Sequence, residues 1–265
     1  MLRLWLTRRW IVGTLLAIGF GVACFYLGRW QWSRHIEQRT KVAAIEQNYN
    51  AAPVSLATAL AGGPLTPERQ WIRVRVSGSY AAEPDLFVRN RALDSTLGFE
   101  VLTPFRTDQG SILVDRGWAP NARSAATVPA VDAPPPGPVE VTGWLRTGEP
   151  SLGRDLPAGQ LASISIADAR AQRPTLGADN VYLVLGTQDP PAPRSGSPVR
   201  PLPRPQEDLG PHQAYAFQWW LTMPGGLAFA FWAMRRELTQ ADRTPGRQPV
   251  PARPRRVRIW DEEDA

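Results

Sequence analysis

Two stretches of the chain are apolar without a break, and most of the ground between them alternates between apolar and polar positions. The first, WIVGTLLAIGFGVACFYLG at 10–28, carries no charge over 19 residues. As a helix it reaches about 28 Å, enough to cross the hydrocarbon core of a bilayer. The second, QAYAFQWWLTMPGGLAFAFWAM at 213–234, reaches about 33 Å, with Pro224-Gly225-Gly226 placed to kink it. Each predicts a transmembrane helix. The first is longer than the apolar core of a secretory leader and is followed by Arg29-Trp30-Gln31-Trp32 instead of a small-x-small cleavage site, so it is read as retained.

The polar stretch 33–50 keeps apolar positions at Ile36, Val42, Ala43 and Ile45 and is expected to prolong the first helix. The period then drops to two. In QWIRVRVSGSY at 70–80, Ile72, Val74 and Val76 alternate with Arg73, Arg75 and Ser77, the mark of a half-buried strand. Similar runs at 86–91, 99–106, 111–116, 139–146 and 181–186 are separated by Gly, Pro, Asn and Asp. Asp108-Gln109-Gly110 predicts a hairpin turn, and 165–172 one short helix. The fold expected is a membrane protein with two transmembrane α-helices flanking an extracytoplasmic, antiparallel β-rich domain, a small barrel or sandwich.

The expected layout is a cytoplasmic N-terminus at 1–9, a transmembrane helix at 10–28, the β-rich domain at 29–188, a proline-rich spacer at 189–211, a second transmembrane helix at 212–234 and a disordered cytoplasmic tail at 235–265. Orientation follows from the flanking arginines, which stay in the cytoplasm. Arg3, Arg8 and Arg9 precede the first span, and Arg235 and Arg236 follow the second, with Arg243, Arg247, Arg253, Arg255, Arg256 and Arg258 beyond. Arg29, Arg34, Arg39 and Lys41 pull the other way, but a large domain is translocated regardless of nearby charge. The segment 128–138 reads as a surface loop. Eight prolines in 189–211 favour extended polyproline conformation over packing.

Composition narrows the chemistry. The lone cysteine, Cys24, excludes an intramolecular disulfide, a zinc cluster and a C-x-x-C redox pair, and three methionines and two histidines leave few soft or imidazole ligands. The net charge of +6 rests on arginine, with Lys41 the single lysine, and points to no nucleic-acid partner. There is no G-x-S-x-G elbow, H-E-x-x-H helix, Walker loop or G-x-G-x-x-G turn. A Ser-His-Asp triad would need His35 or His212, each beside a span, and the Asp and Glu spacing favours no carboxylate pair. The chain is therefore not expected to be an enzyme.

The informative residues lie where the two spans meet the outer leaflet. Arg29-Trp30-Gln31-Trp32-Ser33-Arg34 leaves the membrane where His212-Gln213-Ala214-Tyr215-Ala216-Phe217-Gln218-Trp219-Trp220 enters it. His212, Tyr215, Ala216 and Trp219 fall at i, i+3, i+4 and i+7, one stripe of an imidazole above aromatic rings. An aromatic belt with snorkelling arginines accounts for Trp30, Trp32, Trp219 and Trp220 without any ligand. The sharper reading makes His212 the axial ligand of a membrane-embedded tetrapyrrole, with Arg29 or Arg34 near its propionates. Spacing alone leaves both open. Arg89, Arg91 and Asp115 admit two readings as well, a docking surface or an internal ion pair bracing a turn.

Taken together, these residues resemble the surfeit-locus family of cytochrome c oxidase biogenesis proteins, over about 27–235. The marks are Leu27-Gly28-x-Trp30-Gln31-x-x-Arg34, Val74-x-Val76-x-Gly78-x-Tyr80, Arg89-Asn90-Arg91, Gly98-x-x-Val101-x-Thr103-Pro104, Leu113-Val114-Asp115-Arg116-Gly117-Trp118-x-Pro120 and His212-x-x-Tyr215-Ala216-x-Gln218-Trp219. The resemblance implies a non-enzymatic assembly factor acting on oxidase subunit 1 at haem a insertion, with the lipid bilayer and the haem a synthase as further partners. It also implies a haem a contact through His212, as ligand of the haem iron, with Tyr215 and Trp219 lining the haem or the client and Trp30, Arg29 and Arg34 opposite. The chain departs from the family pattern at 148–177, in the proline spacer and in the arginine-rich tail. With the first span beginning at Trp10, no mitochondrial leader is expected, and a bacterial plasma membrane is the expected location.

Overall fold

The computed structural model describes residues 7–122, 127–177 and 179–242. Arg3 and the tail arginines from Arg243 onward lie outside the described residues. In chain order the elements are α1 (Arg8–Asn48), β1 (Val54–Ser55), α2 (Leu56–Ala61), a 3₁₀ turn (Pro67–Arg69), β2 (Ile72–Tyr80), β3 (Leu86–Leu93), β4 (Thr96–Thr107) and β5 (Gly110–Pro120). There follow β6 (Val139–Thr147), β7 (Gln160–Leu161), α3 (Ile166–Gln172), β8 (Val181–Asp189), α4 (His212–Thr222) and α5 (Gly225–Asp242). The chain divides into two compact units, Met1–Arg34 with Pro211–Ala265 and His35–Gly210.

In the helical unit, α1 runs unbroken well past the apolar stretch, as the polar continuation predicted. Among the described residues it is the one helix long and apolar enough to cross a membrane. The second apolar stretch is not a single helix. α4 stops at Thr222 and α5 begins at Gly225, because Pro224 has no N–H to give to the ladder and two glycines follow it. Helical bonding resumes with Ala228 N–H to the Pro224 carbonyl, 2.9 Å. α5 also carries the helix to Asp242, so 235–242 is helical and not the disordered start of a tail.

The two stretches pack antiparallel along a stripe of small residues. Gly28 faces Trp220, Gly21 faces Met223, Ala17 faces Gly226, and Arg9 pairs with Glu237 at 3.8 Å. Ala17, Gly21, Cys24 and Gly28 recur at alternating steps of four and three, the spacing that keeps one face of a helix on its neighbour. A Cβ on Gly28 would collide with the Trp220 indole, so the backbone approach needs glycine there. The large apolar side chains of this unit point outward instead; Leu16 is 69% exposed and Leu221 79%.

The other unit is built on an eight-stranded sheet in the order β1-β2-β6-β8-β5-β4-β3-β7. A further pairing, Ser79 with Arg106 and Tyr80 with Phe105, joins β2 to β4 and closes a ring of five strands. The sheet is mixed, which corrects the antiparallel expectation. β1 runs parallel to β2, β7 to β3 and β8 to β5. The parallel β8–β5 pair arises because the chain leaves β6, crosses through α3 and returns to the sheet between β6 and β5, a placement no local turn dictates.

Alternation sorts the side chains. Val74, Val76, Phe105, Val114, Val141, Leu145 and Leu183 fill the ring. The opposite face of β3, β4, β5 and β8, with Val88, Leu102, Leu113 and Val184, is covered by Ile164, Ile166 and Ala169 at and before α3. Ser165 caps α3 by accepting the Asp168 N–H at 3.1 Å. The end of α1 is tied into this unit by Tyr49, which stacks on Trp144 at 4.2 Å and 10° and accepts the Trp144 indole N–H on its carbonyl at 2.8 Å.

The proline-rich segment is not a free spacer. Arg200 exchanges two backbone bonds of 2.8 Å with Trp118, and Ser197 accepts from Asp132 at 2.9 Å and donates to Ala130 at 3.2 Å. The Asp132 carboxylate takes the Ser195 and Gly196 N–H groups at 2.7 Å each. Non-proline residues between the prolines supply these donors, so the segment packs as an edge over the end of β5.

Candidate functional site

α4 begins at His212 with no side-chain cap, and its imidazole Nδ1 lies 2.9 Å from Gln31 Oε1 on α1. One helical turn along, Trp32 meets Phe217 edge-on at 6.1 Å and Trp220 at 5.9 Å. Phe217 and Trp220 touch in turn at 5.9 Å, so three rings form a cluster beside the His212–Gln31 contact. The Trp220 indole nitrogen is shielded from solvent with no hydrogen-bond partner among the described residues.

The face of α4 that packs inward is His212, Ala216, Trp220 and Met223. Ala216 is completely buried, while Tyr215 is 46% exposed. The predicted stripe through Tyr215 and Trp219 is therefore rotated off the packed face, with Trp219 at its margin. On α1 the inward residues are Gly28 and Gln31. Arg29, Trp30 and Arg34 are all exposed, and Trp30, two positions from Gly28, lies on the far side of the helix. Of the six residues singled out from sequence, His212 is thus the one seated in the inter-helix contact. Gln31, Trp32, Phe217 and Trp220 complete the cluster; from sequence Trp32 and Trp220 read only as part of an aromatic belt, and Gln31 and Phe217 carry no role. The signal was available in the sequence as the four-and-three spacing of Ala17, Gly21, Cys24, Gly28 and Gln31.

Chemically, a hydrogen bond from Nδ1–H to Gln31 Oε1 leaves Nε2 as the unprotonated nitrogen, the form in which histidine takes a metal. The Gln31 amide orientation and the tautomer are assigned by this bonding pattern. No group of three or more His, Cys, Asp or Glu poised to hold an ion exists among the described residues.

The β unit carries a second polar cluster, half-buried around the fully buried Asp115. Arg91 pairs with Glu100 at 3.0 Å and with Glu149 at 2.5 Å, and Glu149 also accepts the Ile164 N–H at 2.9 Å. Asp115, 1% exposed, accepts the Gly117 N–H at 3.0 Å. Burial pushes its carboxyl well above the usual carboxylate range, the Glu100 carboxylate adding to the effect. Burial raises Glu100 too, against the pull of Arg91. The predicted Arg89/Arg91–Asp115 ion pair does not form, since Arg91 is taken by the two glutamates and Arg89 donates to Gln160 at 3.1 Å. These contacts join β3, β4, β5 and the loop after β6, and they read as internal bracing, not as a docking surface.

A long apolar helix, a second broken helix packed on it through glycines, and a closed β ring define a β-domain protein with an apolar helical unit. The SURF1 family model matches residues 18–223. SURF1-like proteins of Mycobacterium bovis and Mycobacterium tuberculosis are each 30% identical over 259 residues, covering 94% of this chain and 92% of the relative. The cytochrome oxidase assembly protein SHY1 of Saccharomyces cerevisiae is 28% identical over 126 residues, 44% of this chain and 31% of the yeast protein. The chain belongs to the SURF1 family.

Proposed function

We propose that this chain is an assembly factor of cytochrome c oxidase that assists the handover of haem a into subunit 1, and that it works without catalysing a reaction of its own. In this reading both apolar stretches cross the plasma membrane of a bacterium, both termini are cytoplasmic and the β unit is extracytoplasmic. The yeast relative's name supports the oxidase connection. Outward-facing Leu15, Leu16, Phe229 and Trp232 support a hydrocarbon surrounding for both stretches.

The observation that carries the reading is the His212–Gln31 hydrogen bond of 2.9 Å. It orients the ring and fixes the tautomer, the role that second-shell partners play for ligating histidines. The residues present therefore fit haem a, whose iron takes an imidazole nitrogen when it is bound. His212 would hold it with Trp219, at the margin of the packed face, beside it, whereas Tyr215, Trp30, Arg29 and Arg34 are exposed away from the inter-helix contact and would meet the client or the lipid instead. The Trp32–Phe217–Trp220 cluster gives the imidazole an aromatic neighbour one helical turn away. The β unit docks on subunit 1, and the haem a synthase is the donor from which the group is received.

The test is the haem a content of the oxidase in cells lacking the gene, complemented with wild type or with His212→Ala. The account predicts a fall of about tenfold without the gene and failure of the variant to restore it. Normal haem a content in the deletion strain would sink the proposal. A second reading, a chaperone that steadies the helices of subunit 1 without touching haem, is favoured by the burial of Ala216 and by the Gly28–Trp220 approach. Full restoration by His212→Ala would select it.

A further inference from the structure

We propose that a cleft within the β unit, between the last turns of α1 and the end of β6, binds a small carboxylate with a flat apolar body. It lies wholly inside His35–Gly210 and is independent of the His212 reading. The cleft encloses about 460 Å³, a size that takes small organic ligands. Ile45, Trp71 and Pro205 give it an apolar wall, and its charged groups are Lys41, Arg146 and Glu149.

Charge in this cleft is unbalanced. The Glu149 carboxylate takes Arg91 at 2.5 Å and the Ile164 N–H at 2.9 Å, both on Oε2, and makes no ion pair with Lys41 or Arg146, so the cleft keeps an excess of one positive charge among the described residues. Lys41 and Arg146 have no hydrogen bond or ion pair among the described residues, and the Arg146 Nε is shielded from solvent with no acceptor. Glu100 and the Tyr182 hydroxyl feel the charge of Arg146 without hydrogen-bonding to it. Arg73 Nε and Arg116 Nη1 are shielded without a hydrogen bond as well; Arg146 differs in lining a cleft beside Lys41, where an anion can reach its guanidinium. The planar fork of arginine matches a carboxylate, and Lys41 adds a second cation at the rim.

The other wall sets the rest of the ligand. The Arg146 guanidinium lies 4.0 Å from the centroid of the Trp71 ring. Trp71 holds φ at 65°, a left-handed conformation that bulky residues rarely adopt, and its N–H is fixed to the Leu145 carbonyl at 3.0 Å. Tyr49 braces the indole at 5.9 Å and is itself stacked on Trp144. A strained, braced indole beside a guanidinium that rests on it and has no anionic partner among the described residues suits a planar apolar body ending in a carboxylate. A bare phosphate or sulfate would leave Ile45, Trp71 and Pro205 uncovered.

The experiment uses the full chain in phosphatidylcholine nanodiscs and follows a fluorinated naphthoate by fluorine NMR, with empty discs as reference. The expected result is saturable broadening beyond the empty discs and binding of the matching uncharged naphthamide about tenfold weaker. Arg146→Gln should weaken naphthoate about tenfold and Lys41→Gln about threefold, the exposed Lys41 being replaceable without disturbing the fold. Equal affinity for naphthoate and naphthamide, no saturable signal above empty discs, or unchanged affinity in Lys41→Gln and Arg146→Gln alike would each overturn the proposal. So would an acidic peptide that displaces naphthoate and binds more tightly, since the site would then read a protein segment.

Discussion

The helical unit and the β unit solve opposite packing problems. In the first, small residues meet and large ones face out: Gly28 receives the Trp220 ring while Leu16 and Leu221 stay exposed. In the second, Phe99, Phe105 and Leu102 are almost completely buried and the charges of Arg91, Glu100 and Asp115 go in with them. Water drives apolar groups inward in the β unit. In the membrane setting proposed for the helical unit that drive is missing, so close backbone approach and a few polar contacts decide the pairing. A polar contact in the helical unit, such as His212 with Gln31, therefore stands out against its surroundings, whereas in the β unit it is one of many.

The sharpest way to break this contrast is to cut a cavity in the ring. Phe105→Ala should destabilise the β unit by about 4 kcal/mol, read by thermal unfolding of the full chain in nanodiscs. The pairing of α1 with α5 should survive it, measured by cross-linking of cysteines introduced as Ala17→Cys and Gly226→Cys in a Cys24→Ala background. Loss of that cross-link together with the ring would show the two units to be energetically one.

The converse change is Gly28→Val, which places a branched side chain where the Trp220 indole lies. It should cost about 3 kcal/mol of helix pairing and abolish the cross-link while the β unit melts unchanged. Trp220→Ala in the same chain should recover most of the loss. No recovery would mean that Trp220 is not what glycine accommodates.

A smaller effect sharpens the account of buried charge. Asp115 and Glu100 have raised carboxyl pKa values in the folded state, so above the ordinary carboxylate range of about 4 the folded protein binds more protons than the unfolded chain. Stability from these groups is then present at low pH and declines as pH climbs from about 4 through the raised values. Asp115→Asn keeps an acceptor for the Gly117 N–H and should raise stability near neutral pH by about 1 kcal/mol while flattening that decline. A variant less stable than wild type at neutral pH would show that the carboxylate is needed as an anion. At the bottom of the scale, Arg75→Gln removes an exposed pair with Glu140 at 3.6 Å and should change the melting free energy by no more than about 0.5 kcal/mol.

Much of the β unit was legible in the sequence because alternation is local. Val74 and Val76 announce β2, Val139 and Val141 announce β6, and Asp108-Gln109-Gly110 joins β4 to β5 as read. What was not legible depends on distant partners. Nothing near Val181 says that β8 will lie parallel to β5, and nothing near Arg91 names Glu149, 58 residues away. The two-residue strands β1 and β7 are too short to carry a period. The proline segment misled because proline content says how a chain extends and not whether its remaining N–H groups, such as that of Arg200, find a strand edge.

At the helix ends the histidine was legible and the face it shares was not. Aromatic residues crowd both sides of α4, and the inward side is marked by small residues, the buried Ala216 on α4 and, on α1, Gly28 against Trp220, which a search for chemistry passes over.

The central claim, that His212 holds haem a, is tested most directly by the absorption spectrum of the detergent-purified full chain after co-expression with the enzymes of haem a synthesis. Wild type should carry the Soret and alpha bands of haem a, Gln31→Leu should carry them at reduced occupancy, and His212→Ala should lose them. Spectra free of haem in all three, with oxidase subunit 1 still co-purifying, would contradict the claim and leave the chain a chaperone that acts through its helices alone.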